Sequence, residues 1–311
     1  MSKDYTRIMQ DLAAAVAQGA EIAAADFESN MLAGSVAVES KGTKDNLPDY
    51  VTNTDVRIQQ VIEAALQASY GDVPFIGEEG VQRNAAECAE FFLVDPLDGT
   101  SNFVALRDYF AVCAAYVENG VVKAAAVADP MRGTVAMAAE GKGAFLITKS
   151  VTYPLKNIAD TEAPLAQMQF ECEIPVKGAD DKITIAGMRK DVTMAGTSTG
   201  PLSLKPDKII SPIMQRVSGF RKSGSSALDL MNLAMGRKIC VVATSLKPHD
   251  IAAALLIARE AGAIVTDMKG APANYDTDAI IAAPPKASKE LVQLVAPAFP
   301  ENVWPPSSCA P

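Results

Sequence analysis

The run Phe91-Phe92-Leu93-Val94, followed at once by Asp95-Pro96-Leu97-Asp98-Gly99-Thr100, constrains this 311-residue chain more than any other segment. The four apolar residues read as a buried strand that ends in Asp95. Pro96, with φ fixed and no N–H to give, stops the strand pairing. Asp98 then turns back beside Asp95. Gly99 and Thr100 open a short helix whose unpaired backbone N–H groups suit an anion. A fold built around this piece must carry two carboxylates and an anion cradle at one strand end.

Other carboxylates take similar positions. Glu78 and Glu79 follow a short strand at Val73–Ile76, Asp55 opens a helix beginning near Thr54, and Asp250 opens a helix after Pro248. Acids at such positions are common as caps, and Thr52 with Asp55 three residues on reads as a capping box. The alternative is that three or four of them converge. At about 4 Å and an effective dielectric of about 20, each like-charged pair repels by roughly 4 kcal/mol. A cluster of that kind binds cations or takes up protons, and ligation by oxygen alone points to Mg²⁺ or Mn²⁺.

Composition narrows the chemistry. His249 is the one histidine, so any Ser-His-Asp triad or phosphohistidine would run through it, and a zinc site with two or three histidines is excluded. Carboxylates must carry most of any hydrolysis. The net charge of −9, with no basic cluster among aromatics, argues against binding a nucleic-acid polymer. An acidic protein acting on an anion needs cations between the two. Five scattered cysteines with no CxxC spacing argue against a disulfide framework. Apolar runs are too short to span a bilayer, and the N-terminus lacks a signal-peptide core, so the expectation is a cytoplasmic protein with no membrane association.

Periodicity predicts an alanine-rich helix from about Asp4 to Met31 and a polar loop or loose hairpin at Glu39–Asp49. Hairpin strands follow at Tyr109–Val117 and Val121–Ala128, joined across Asn119-Gly120. Thr134–Ala138 continues them into a turn at Gly141-Lys142-Gly143. The first part, 1–147, thus reads as α+β with a mainly antiparallel sheet. The second, 148–311, reads as α/β, alternating strands at Phe220–Lys222, Ile239–Ala243, Ala263–Thr266 and Ala279–Ala282 with helices at Ser226–Met235, His249–Ala261 and Ser288–Val295. Between Thr148 and Gly219 the prolines leave only possible strands at Met168–Cys172 and Ile183–Ala186. The tail from Trp304 to Pro311 reads as frayed.

In Gly77-Glu78-Glu79, Asp95 to Phe103 and His249-Asp250-Ile251-Ala252-Ala253 the chain resembles the inositol monophosphatase family. Lys44, Asp49, Val51-Thr52 and Asp55 match an upstream element of that family, and Ser223-Gly224-Ser225-Ser226-Ala227-Leu228 is similar to its segment near the substrate. The haloacid-dehalogenase phosphatases do not fit: their aspartates are two positions apart, whereas Asp95 and Asp98 are three apart and lie far into the chain. The resemblance implies a layered αβαβα sandwich, usually a homodimer, that hydrolyses a small phosphate monoester by a metal-activated water. It implies two or three Mg²⁺ ions held by Glu78, Asp95, the Leu97 carbonyl, Asp98 and Asp250, with Mn²⁺ as an alternative. Thr100, with Asp55 or Glu78, would position and activate the water. Asp98, Gly99, Thr100, Ser225 and Lys44 would lie on the substrate side. Three features depart from the family pattern. His249 stands where a Trp is usual, Ala243 stands where many members carry a sugar-binding Glu, and the middle segment is unusual.

Overall fold

The structure is a computed structural model and describes residues 3–40, 50–79, 85–149, 151–156, 158–160, 163–174, 183–184, 203–204 and 206–298. Seven helices are described: α1 (Tyr5–Ala33), α2 (Asn53–Tyr70), α3 (Thr100–Val104), α4 (Pro206–Met214), α5 (Ser226–Ala234), α6 (Pro248–Glu260) and α7 (Pro285–Val295). The strands of a first sheet are β3 (Phe75–Gly77), β4 (Glu90–Asp98), β5 (Ala111–Glu118), β6 (Val121–Asp129), β7 (Thr134–Ala139), β8 (Ala144–Thr148) and β9 (Val151–Pro154). They lie side by side in chain order. A second sheet has the order β13-β10-β14-β16-β15, from β10 (Gln169–Glu173), β13 (Gly219–Arg221), β14 (Ile239–Thr244), β15 (Ile264–Thr266) and β16 (Ala279–Ala283). Two-residue pairs complete the set: β1 (Glu39–Ser40) with β2 (Tyr50–Val51), and β11 (Ile183–Thr184) with β12 (Ser203–Leu204).

Alternation along the strands builds the layers. On β4, Phe91 and Leu93 face one apolar cluster while Phe92 and Val94 face another. The Phe92 side is covered by α1 and α2 through Leu12, Val16, Ile58 and Ile62. The Phe91 side is covered by α5 and α6, whose other face meets Ile239, Val241 and Ala243 of β14. The opposite side of β14, Cys240 and Val242, packs with Ile209 and Ile213 of α4 and Leu291 of α7. The order is therefore α1/α2, first sheet, α5/α6, second sheet, α4/α7: an αβαβα sandwich.

The local signals act as the sequence suggests. Asp4 caps α1 by accepting from the N–H groups of Thr6 (3.1 Å) and Arg7 (3.2 Å). Thr52 and Asp55 form a capping box on α2. Asn119 and Gly120 both take positive φ, 51° and 75°, as the tight β5–β6 hairpin requires.

Three expectations change. Pro96 does not end its strand: β4 runs on to Asp98, pairing Asp95 with Cys113 and Asp98 with Ala111, so it carries one extra residue as a bulge. A residue without an N–H fits there because the ladder is already interrupted. The strand β9 and the helix α4 were not expected. The first sheet is mainly antiparallel, as expected; its one parallel pair is β3 with β4. Lys44, Asp49, most of the Glu39–Asp49 loop, Ala186 and the Trp304–Pro311 tail lie outside the described residues.

Candidate active site

The parallel β3–β4 pair brings the first two acids together. Gly77 is in register with Val94, and the Glu78 N–H donates to the Val94 carbonyl at 3.1 Å, so Glu78 and Asp95 leave neighbouring strand ends on the same edge. Gln59 of α2 fixes the turn beyond. Its side chain donates to the Glu79 carbonyl (2.8 Å) and accepts from the Glu79 N–H (2.9 Å). Asp95 is buried and accepts from the Leu97 N–H at 2.9 Å. Its pKa is raised well above the ordinary carboxylate value, first by burial and then by the charges of Glu78, Asp98 and Asp250.

Two helix starts from the middle layer supply the rest. Ser225 caps α5, accepting from the Leu228 N–H (3.2 Å) and donating to Asp98 Oδ2, which also accepts from the Ala227 N–H at 2.9 Å. Burial nevertheless pushes the Asp98 pKa up to about 8, against these hydrogen bonds, with Asp250 adding to the rise. Asp250 sits in the first turn of α6 and accepts from the Lys247 N–H at 2.8 Å. Burial raises its pKa too, opposed by His249 and Lys247 and reinforced by Glu78.

Thr100 Oγ1 lies 2.9 Å from the Leu97 carbonyl and 3.3 Å from Asp55 Oδ1. Asp55 is fully buried and also receives the N–H (2.9 Å) and hydroxyl of Thr52. Its cap and site roles coexist, because one carboxylate oxygen serves Thr52 and the other faces Thr100. Gly99 is required between Asp98 and Thr100. It has φ +95°, and a Cβ there would stand 3.1 Å from the backbone oxygens of both Gly224 and Tyr109.

The structure thus gathers Glu78, Asp95, Asp98, Asp250, Thr100, Asp55 and Ser225 at the rim between the first sheet and the middle helices. Glu78, Asp95 and His249 form one group in which each offers a ligand atom within 4.8 Å of the others. Oxygen donors of this kind, converging from two strand ends and a helix start, have the donor chemistry of a divalent-cation site, so these residues fit Mg²⁺ or Mn²⁺. Sequence reasoning missed the supports. Asn102 Nδ2 donates to the Tyr109 (2.7 Å) and Ser223 (2.9 Å) carbonyls, clipping the Asp98–Thr100 turn to the Ser223–Ser225 loop. Glu173 accepts from the Gly224 N–H (2.6 Å), buried Asp229 accepts from the Tyr109 hydroxyl (2.7 Å), and Ser223 Oγ lies between the two carboxyls, 2.9 Å from Glu173 and 2.7 Å from Asp229. Only Asn102 had a signal, its place inside the Asp95–Phe103 motif; the others depend on long-range contacts. A cavity of about 780 Å³ lies off the acidic cluster, with Arg107, Arg221, Lys222, Arg237 and Lys238 in its wall.

The layers and the buried carboxylate centre define a sandwich protein with its acids gathered between sheet edge and helix starts. The chain belongs to the inositol monophosphatase family, whose family model matches residues 7–302. The Nus factor SuhB of Vibrio cholerae is 32% identical over 276 residues, spanning 88% of this chain and 93% of that protein. The Nus factor SuhB of Escherichia coli K12 is 30% identical over 256 residues, spanning 82% and 85%. The solved extragenic suppressor protein SuhB from Bartonella henselae shares the fold with a TM-score of 0.74, at 24% identity over 93% of this chain and 98% of that one. The Thermotoga maritima IMPase does so with a TM-score of 0.71, at 24% identity over 94% and 98%.

Proposed function

We propose that the protein hydrolyses a small phosphate monoester with Mg²⁺ as its cofactor. The observation that carries this reading is the convergence of buried Asp95 with Glu78, Asp98 and Asp250, where burial first and neighbouring negative charge second raise the affinity of Asp95, Asp98 and Asp250 for protons. Clustered buried acids are costly without a cation to neutralise them. Glu78, Asp95, the Leu97 carbonyl, Asp98 and Asp250 would hold the metal, with Mn²⁺ as an alternative. Mg²⁺, when bound, supplies positive charge that screens the phosphate, lowers the pKa of water and stabilises the leaving oxygen.

The chain's own groups do the rest. Thr100 Oγ1, directing its proton to the Leu97 carbonyl or Asp55 Oδ1, turns a lone pair toward the attacking water. Glu78 or Asp55 receives the water's proton. The Gly99 and Thr100 N–H groups serve the phosphate oxygens. Asp98, held by Ser225 and the start of α5, faces the substrate side; the family resemblance would add Lys44, which lies outside the described residues. Ala243 is fully buried and in register with Glu173, whose carboxylate is engaged by Ser223 and Gly224. No acid stands at that position for an inositol hydroxyl, which favours another sugar phosphate, histidinol phosphate or a nucleotide 3′-phosphate. The protein acts as a homodimer in this reading. Phosphate release from inositol-1-phosphate, fructose-1,6-bisphosphate, histidinol phosphate and adenosine 3′,5′-bisphosphate, with millimolar Mg²⁺, tests it. Release from one of them names the substrate class, whereas silence across a wider ester panel sinks the reading.

A second reading is a partner-binding protein with little turnover. The name Nus factor carried by its relatives favours it, and the cationic wall of Arg107, Arg221, Lys222, Arg237 and Lys238 is the surface it would use. A stoichiometric partner recovered independently of Mg²⁺ would support this over catalysis.

A further inference from the structure

The sole histidine of the chain enters the acidic cluster. His249 is the second residue of α6, directly after Pro248, and its side chain is only 10% exposed. Its Nε2 lies 3.3 Å from Asp250 Oδ1 and 3.9 Å from Glu78 Oε2. Together with Asp95, Glu78 and His249 make the group whose ligand atoms all stand within 4.8 Å of one another. Two bonds of about 2.1 Å to one ion span at most about 4.2 Å. The 3.3 and 3.9 Å separations therefore fit inside a single coordination sphere, and the widest needs a closure of only tenths of an ångström.

We infer that His249 Nε2 is a nitrogen ligand of this metal centre, and that the centre binds Mn²⁺ in preference to Mg²⁺. The inference rests on the reading of the acids as a cation site and adds the ligand that sets which cation it takes. The Trp expected at this place has an indole N–H that only donates, whereas neutral imidazole has a lone pair to give. Carboxylates and carbonyls suit Mg²⁺ and Mn²⁺ alike; an imidazole among them is a donor that first-row transition ions accept more readily than Mg²⁺, Mn²⁺ being the weakest binder of that series. Mg²⁺, small and reluctant to shed water, gains little from the added nitrogen. The competing role for His249 is that of a protonated cation paired with Glu78 and Asp250, occupying the cluster instead of a metal.

The single histidine makes the test direct in untagged full-length protein. Pulsed electron paramagnetic resonance of the Mn²⁺-loaded protein reads nuclei bound to the ion. The expected result is a ¹⁴N imidazole modulation that changes to ¹⁵N when the protein is grown on ¹⁵N-histidine. Calorimetry with Mn²⁺ and with Mg²⁺ accompanies it. His249→Gln is expected to weaken Mn²⁺ about tenfold while Mg²⁺ changes by less than about twofold. Bound Mn²⁺ without nitrogen modulation overturns the inference, as does a His249→Gln protein that binds Mn²⁺ as tightly as or more tightly than the parent. Asp95→Asn separates the two layers of the account. If it binds Mn²⁺ like the parent, the metal-centre reading fails and His249 falls with it; if it loses Mn²⁺ while the parent shows no nitrogen, only the His249 assignment fails.

Discussion

Under the proposed function, Thr100 is the residue that distinguishes a catalytic centre from a mere cation site. A hydroxyl set 2.9 Å from the Leu97 carbonyl and 3.3 Å from Asp55 has a defined direction, and a structural ion has no use for it. Thr100→Ala is expected to lower kcat by about 100-fold or more while leaving the Mg²⁺-induced rise in Tm intact. Initial rates and thermal melts check this; unchanged rates would mark a site that holds a cation without turnover. At this scale the site was largely legible. Asp95, Asp98, Gly99 and Thr100 are coordinated choices in one short stretch, and each has a local reason. Gln59, Glu173 and Asp229 were not legible, because their importance lies in what they touch across the fold and nothing beside them in the chain marks it. His249 showed as a departure, but its direction into the Glu78–Asp95 group needed coordinates.

Among the elements, the turn after β4 and the loop before α5 form one unit through Asn102. Its amide is buried and serves two carbonyls from distant segments. Asn102→Ala leaves the Tyr109 and Ser223 carbonyls without that donor and is expected to cost about 1–3 kcal/mol, measured by urea unfolding. A fall in Mg²⁺ affinity should accompany it, since Asp98 loses its register with Ser225; a variant equal to the parent in both would remove Asn102 from the account. Capped, periodic elements such as α1 and α2 read well because their signals are local. α4 did not. Pro212 argues against a helix there, an interior proline costing about 3 kcal/mol. Ile209 and Ile213, four apart and both fully buried, offset it at roughly 1.5–3 kcal/mol each. β9 was missed for the opposite reason: all four of its residues are exposed, so no burial pattern betrays it.

For the whole molecule, the middle helices serve two sheets, and the acids lie where that layer meets the first sheet. Folding therefore buries carboxylates that the unfolded chain leaves in water. Asp55, Asp95, Asp98, Asp229 and Asp250 all have raised pKa values, Asp98 to about 8. Between the unfolded carboxylate pKa near 4 and those folded values, the metal-free native state holds more protons than the unfolded state. Their contribution to stability is greatest at low pH and is lost as pH rises through the folded values. The Tm of EDTA-treated protein should fall from about pH 5 to about pH 8, and Mg²⁺ should remove most of that fall; a Tm that climbs over this range without metal would contradict the burial argument. The alternation of strands and helices made an α/β second half legible and the family resemblance implied the sandwich, but the parallel entry of β3 and the bulge at Pro96 depend on pairing partners that no local pattern names. The central claim, that these acids hold the ion through which phosphate esters are cleaved, is tested most directly by phosphate release against Mg²⁺ concentration for the parent protein and Asp95→Asn. The account predicts saturable Mg²⁺-dependent release by the parent and none by the variant; equal release by both would contradict it.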